Sequence, residues 1–376
     1  MRSSFQIARF FDIPVRLHWT FFLLLAWVGY TGYLQDRGWI YISWWILLVL
    51  TVFLCVVLHE FGHALTARRY GVQTRDIILS PIGGIARLEK LPENPIHEFR
   101  VAIAGPLVNL AIAALLSPVI WLLFSREFQH LVGWATGTPP AMDGSESSLP
   151  GYFLPSIFLL NITLAVFNML PAFPMDGGRI LRSLLSLRYG RTTATRIAAR
   201  LGQALAILLA LYGLWRIDDN FITVIIGVFV FITATQEYQF VRIESLLEEH
   251  CVGEVMRGQF TRLLANQAVE TAFRELQRGG EKNFLVFDDE GDLLGVLHDR
   301  DILSLLKANV ESDLIAEHLL PAPPPADPGD TLKQVFDLMQ RERYRILPVQ
   351  QDGQLIGVID VHAIHHFLQL QRKLKK

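Results

Sequence analysis

The stretch LHEFGH, residues 58 to 63, places two histidines and a glutamate inside a long apolar run. On a helix, residues four apart share a face, so His59 and His63 can both reach one metal ion. Glu60 sits beside them and can act on a metal-bound water without being a ligand, the division of labour of the H-E-x-x-H spacing. The flanks WWILLVLTVFLCVV and ALTARRYG set the trio in a segment fit to enter a bilayer. Each unpaired ionisable group there costs roughly 2.5–3.5 kcal/mol, so three of them need a purpose. A polar network that only packs helices together is the alternative.

Zinc in a catalytic site usually takes three protein ligands and leaves one position for water. The best candidate for the third is Asp176, in NMLPAFPMDGGR at residues 168 to 179. It follows the fourth apolar segment, on the side of the membrane toward which HEFGH also lies. Pro171 and Pro174 exclude a regular helix there, and Gly177 and Gly178 permit sharp turns. Irregular backbone at that depth is tolerated only inside protein or along a wet cavity. Cys55, one turn before His59, reads better as a small buried residue than as a ligand, and His18 as an interfacial anchor.

The elements that must carry these residues are legible in outline. The chain has 376 residues, 51% hydrophobic and 19% charged, with a mean hydropathy of +0.33. That balance fits a membrane part joined to a soluble part. Apolar segments at about 17–35, 42–67, 99–124, 152–171, 197–215 and 220–239 are long enough to span. The expected fold is therefore a polytopic α-helical membrane protein with about six transmembrane helices, plus a C-terminal soluble α/β tail. Phe5, Ile7, Ile13, Val15 and Leu17 alternate, which predicts short extended pieces before the first span, and no cleaved signal peptide is expected.

Basic residues orient the spans. Arg2, Arg9 and Arg16 precede the first, and Arg68, Arg69, Arg75, Arg87, Lys90 and Arg100 lie between the second and third. Arg179, Arg182, Arg188, Arg191, Arg196 and Arg200 surround the link between the fourth and fifth, whereas the other connections hold only Arg37, Arg126 and Arg216. The positive-inside rule then puts both termini and the tail in the cytoplasm and the link at 125–151 outside. A net charge of −2 gives no case for nucleic-acid binding. Two cysteines, Cys55 and Cys251, suggest no disulfide framework.

The tail repeats itself: FLVFDDEGDLLGVLHDRDIL (284–303) aligns with LPVQQDGQLIGVIDVHAIHH (347–366). Each copy reads as helix, strand, turn, strand, helix, with PAPPPADPGD (321–330) leading into the second. The expected boundaries are 1–240 for the membrane domain, 241–310 for the first module and 311–376 for the second.

HEFGH, AGPLVN at 104–109 and NMLPAFPMDGGR together resemble the site-2 protease family of intramembrane zinc metalloproteases. IPVRLHWTF and SPIGGIARLE (80–89) strengthen the likeness, which covers residues 5 to 240. The tail resembles a tandem pair of CBS modules, carried at the C-terminus by one branch of that family. The resemblance implies one zinc ion per chain, held by His59, His63 and Asp176, with Glu60 as general base. It implies a substrate-positioning or oxyanion role for Asn168, and a packing or site-lining role for Asn109. Pro81, Gly83 and Gly84 match a membrane-associated hairpin that could dock a substrate strand. The implied substrate is a single-span membrane protein, cut in regulated intramembrane proteolysis in a bacterial or archaeal cell membrane.

CBS pairs commonly bind adenosine nucleotides through a glycine, a hydroxyl residue and a ribose-binding aspartate. GVLHDRD keeps Gly295 and Asp301 but has His298 in the hydroxyl position, and GVIDVHA departs further with Asp360 and Ala363. An adenosine nucleotide at the first site and a homodimer through the modules are the corresponding expectations. A CBS-gated transporter or channel, and a pseudoenzyme that binds membrane partners, are the competing readings.

Overall fold

In a computed structural model, the chain is described at residues 4–36, 38–81, 83–88, 94–135, 150–215, 217–308 and 310–374. It divides into two compact units, Met1–Gln239 and Phe240–Lys376.

The first unit opens with a hairpin of β1 (Ser4–Phe10) and β2 (Ile13–His18), the extended pieces that the alternation predicts. The two-residue turn, Phe11 and Asp12, has positive φ at both positions, which matches the twist of the strands it joins. Helix α1 (Thr20–Leu34) follows, then α2 (Trp39–Arg68), then a second hairpin of β3 (Thr74–Ser80) and β4 (Gly83–Leu88). The sheet order is β1-β2-β3-β4, with β2 and β3 parallel and the other pairs antiparallel. Ile13, Val15, Leu17, Ile77 and Leu79 point to one face and pack on Val57, Phe61 and Ala64 of α2. The sheet is therefore applied to the turns of α2 that contain HEFGH. Its ionic fastening is the buried Asp76 of β3, which pairs with Arg16 of β2 at 3.3 Å and accepts from Arg87 Nε of β4 at 2.6 Å.

Helices α3 (Pro95–Leu123), α4 (Ser125–Ala135), α5 (Phe153–Asn168), α6 (Asp176–Tyr189), α7 (Arg191–Trp215) and α8 (Ile217–Glu249) complete the unit. Among the described residues five helical stretches are long and apolar enough to cross a membrane: Trp39–Arg68, Pro95–Leu123, Pro150–Asn168, Arg191–Trp215 and Phe221–Glu249. The sixth expected span is shorter. β2 takes its first residues for the sheet, and the 15 helical residues of α1 reach about 22 Å against the ~30 Å of a hydrocarbon core. Leu, Phe and Trp side chains stand exposed along these helices, among them Trp39, Leu115, Trp121, Leu208, Trp215 and Ile222. Water does not favour such a surface, and lipid does. Residues 136–149 of the expected outer link lie outside the described residues.

Two boundaries differ from expectation. Residues 176–189 form the amphipathic helix α6, so Gly177 and Gly178 make no sharp turn. Both are helical, and a Cβ on Gly177 would stand 2.1 Å from Leu170 O, one on Gly178 2.6 Å from Phe173 N. They are needed for close approach of the first turn to the loop before it. α8 does not stop at 239, because VRIESLLEE contains good helix formers and no breaker.

The second unit holds β5 (Arg262–Leu264), α9 (Val269–Gln277), β6 (Asn283–Phe287), β7 (Leu293–His298) and α10 (Asp299–Lys307). β8 (Leu320–Pro321), α11 (Leu332–Glu342), β9 (Ile346–Gln351), β10 (Gln354–Asp360) and α12 (Val361–Leu374) follow. The repeated helix-strand-strand-helix pattern is as the sequence predicts. Its second hairpin turns on Asp352 and Gly353, both at positive φ.

Candidate metal centre

His59 and His63 lie on one face of α2, both about 6% exposed. Their Nε2 atoms are 3.1 Å apart. Asp176, the first residue of α6, brings Oδ2 to 3.1 Å from His63 Nε2 and 3.2 Å from His59 Nε2. The three atoms form a nearly equilateral triangle. Tetrahedral ligands at about 2.0–2.1 Å from a zinc ion stand roughly 3.3–3.4 Å apart, so the triangle fits a divalent metal with little adjustment. Three lone-pair donors this close repel one another unless a cation lies among them.

The surroundings are shaped for that use. His63 Nδ1 donates to the Val101 carbonyl of α3 at 2.7 Å, leaving the Nε2 lone pair free for a metal. Gly105, one turn further along α3, faces the imidazoles: a Cβ there would lie 2.2 Å from His63 Nε2 and 2.7 Å from His59 Nε2. A residue with any side chain would fill the space between the ligands and the helix.

Glu60 meets β4. Its Oε2 accepts the Ala86 N–H at 3.1 Å, and a Cβ on Gly84 would stand 2.9 Å from Glu60 Cγ. Ala86 therefore turns its N–H away from β3, and by the alternation of an antiparallel pair Gly84 shares that free edge. No described strand pairs there, since β4 ends the sheet.

The remaining predicted residues are placed less centrally. Asn168 ends α5, partly buried, at the start of the loop that leads to Asp176. Asn109 is 1% exposed on the same buried stripe of α3 as Val101 and Gly105, its Oδ1 without a described partner. Gly83 starts β4 with φ +135°, a conformation that suits only glycine. Cys55 accepts from Asn161 Nδ2 at 3.3 Å among Leu48 and Ile157, a packing position, and His18 Nδ1 contacts Thr20 Oγ1 at 2.7 Å.

In the second unit Gly295 presses on β8, where a Cβ would stand 2.4 Å from Leu320 O. His298 ends β7 and Asp301 lies in the first turn of α10. Burial pushes the His298 pKa down, against the opposing pull of Asp301. A cleft of about 490 Å³ lies at the other strand–helix junction, lined by Arg257, Glu281, Lys282, Asp360 and Ala363 among others. There Asp360 pairs with Arg257 at 2.8 Å and accepts from Ala363 N at 2.7 Å.

Gly105 stood in a quoted motif, but its place against the imidazoles was not readable. Ala86 carried no signal at all, because it acts through its backbone.

Comparison with known proteins identifies the family. The Peptidase family M50 model matches residues 47–209, and the CBS domain model matches 252–308 and 315–369. The zinc metalloprotease MJ0392 of Methanocaldococcus jannaschii is 35% identical over 257 residues, covering 68% of this chain and 67% of that protein. The putative zinc metalloprotease sll0528 of Synechocystis is 27% identical over 389 residues, 98% of this chain and 96% of the relative. The solved site-2 protease from Methanocaldococcus jannaschii is 35% identical, covers 62% of this chain and 95% of its own, and superposes with a TM-score of 0.45. The protein is an integral-membrane zinc metalloprotease with a CBS domain pair. It belongs to peptidase family M50, the site-2 protease family.

Gly105→Ala is expected to lower bound zinc about tenfold or more while leaving the protein folded. Metal analysis of the purified variant beside its thermal melt checks this.

Proposed function

We propose that His59, His63 and Asp176 hold one zinc ion beside the general base Glu60, and that the enzyme cuts a transmembrane segment of a single-span membrane protein. The observation that carries this reading is the convergence of three ligand atoms to within 3.2 Å, from helices that lie 113 residues apart in sequence, inside a unit with an apolar exterior.

Zinc, when bound, supplies a Lewis acid and a water of lowered pKa. Glu60 would take a proton from the water that attacks the peptide carbon and pass it to the departing amine. The Ala86 N–H fixes one oxygen of this carboxylate, which leaves the other free for the proton. Asn168 is the side chain proposed to donate to the oxyanion. Asn109 shapes the wall of the site.

A transmembrane helix hides its scissile carbonyl in an internal hydrogen bond, so the substrate must unwind. The outer edge of β4 at Gly83 and Gly84, next to the Ala86 N–H that Glu60 occupies, offers the unwound chain a strand to pair with. Glu60 stands on that same edge, so a docked strand passes beside the base. The basic-residue bias supports cytoplasmic termini, with the site opening toward that side of a bacterial or archaeal membrane. The CBS pair regulates activity or substrate access, with an adenosine nucleotide at Gly295, His298 and Asp301.

The decisive experiment compares wild type and Glu60→Ala on a panel of single-span substrates in cells, with metal content measured in both purified proteins. The expected outcome is a rate lower by about 10²–10⁴ with zinc retained. Zinc absent from both proteins under metal-replete conditions would reject the site assignment.

Ala86→Pro deletes the N–H that holds Glu60 while sparing the ladder to β3. We expect kcat/KM to fall about tenfold, the worth of one ~1.4 kcal/mol hydrogen bond, at unchanged zinc content. Unchanged kcat/KM would take the Ala86 N–H out of the positioning of the base. For the tail, equilibrium dialysis of the full-length protein with AMP and ATP should show binding that Asp301→Ala abolishes; no binding at millimolar concentration would sink the nucleotide proposal.

A further inference from the structure

Among the described residues, Arg182 is the largest fully buried side chain, at 0% exposure. It lies on α6, six residues after Asp176. Its Nε donates to Glu98 Oε1 at 2.7 Å, and Nη2 donates to the same oxygen. Nη1 donates to Glu237 Oε1 of α8 at 2.8 Å. The guanidinium also lies 5.0 Å over the ring of Phe173, in the loop that delivers Asp176.

These partners lead back to the metal centre. Glu98 is on the buried stripe of α3, three residues before Val101 and seven before Gly105. Val101 orients His63 through its carbonyl, and Gly105 faces both imidazoles. Arg182 thus ties the helix that backs the histidines to the helix and loop that present the aspartate. A buried ionic group of this kind is a poor source of stability, since well-packed apolar residues of similar volume commonly match or exceed it. What it can supply is register, because a forked guanidinium meets carboxylates from two helices in only one arrangement.

We infer that Arg182 is a positioning residue: bound to Glu98, Glu237 and Phe173, it holds Asp176 at ligand distance from His59 and His63. This rests on the metal-centre reading above. The interaction acts on the ligand triangle, not on the substrate.

The test uses full-length protein in detergent, apo and reloaded, with three readouts. They are zinc affinity by chelator competition, the visible spectrum of the cobalt(II)-substituted protein, and thermal unfolding. The variants are Arg182→Lys, which keeps charge but loses the fork, and the triple variant Arg182→Met, Glu98→Gln, Glu237→Gln, which removes all three charges of the cluster and leaves Asp176 as a partner of Arg179. Zinc affinity is expected to fall 10- to 100-fold in the triple variant and by less in Arg182→Lys, with an altered cobalt spectrum in both. Variants that load with wild-type affinity and spectrum overturn the inference, whether or not their melting temperature falls. A lowered melting temperature alone would mean that the triad only packs helices. Should wild type itself take up neither metal, the metal-centre reading fails and this inference with it, an outcome distinct from the first.

Discussion

A bilayer supplies no water to an unpaired polar group, and every polar side chain set among these helices must be answered from within the protein. That constraint organises the catalytic unit around α2. His59 and His63 cannot stand alone at such a position, so Asp176 reaches them from α6, and the Val101 carbonyl of α3 takes the one free imidazole N–H of His63. Each answer imposes a further demand. α3 must come close enough to offer the carbonyl, which only a glycine at 105 allows. α6 must start tight against its own loop, which Gly177 and Gly178 allow. The apolar exterior asks little of the sequence, whereas the polar interior specifies it almost residue by residue.

The sheet meets the same constraint in another form. An open β-sheet exposes edge groups that need partners. β2 and β3 are fixed side by side, and Arg16, Asp76 and Arg87 lock three strands with one buried carboxylate. Two edge strands remain, β1 and β4, and Glu60 bonds an outward N–H of β4. Glu60 and the outer edge of β4 are thereby held in contact.

The second unit follows the rules of a soluble domain. Its two modules bury separate apolar clusters, joined by Leu285, Phe287, Val296, Ile346 and Val358 across the middle. The two strand–helix junctions differ. One holds a half-buried His298 near Asp301, and in the other Asp360 is occupied by Arg257 and by the first turn of α12.

Local pattern alone determined a good deal about this protein. The spacing of His59, Glu60 and His63 on a helix, the proline-broken loop before Asp176, the apolar segments and the duplicated tail all depend on residues near one another in the chain. Period and composition report such features directly. Tertiary structure decided the rest. Arg182 reads in sequence as one more cytoplasmic arginine among its neighbours, yet it is wholly buried because Glu98 and Glu237, 84 and 55 residues away, converge on it. Ala86 carries no chemistry in its side chain and contributes only an N–H. Gly105 matters for what it lacks. The first span gives up its start to β2 because β3, some sixty residues on, pairs with it. Such roles depend on which distant backbone and side-chain groups must satisfy one another once water is gone, and no local pattern records that.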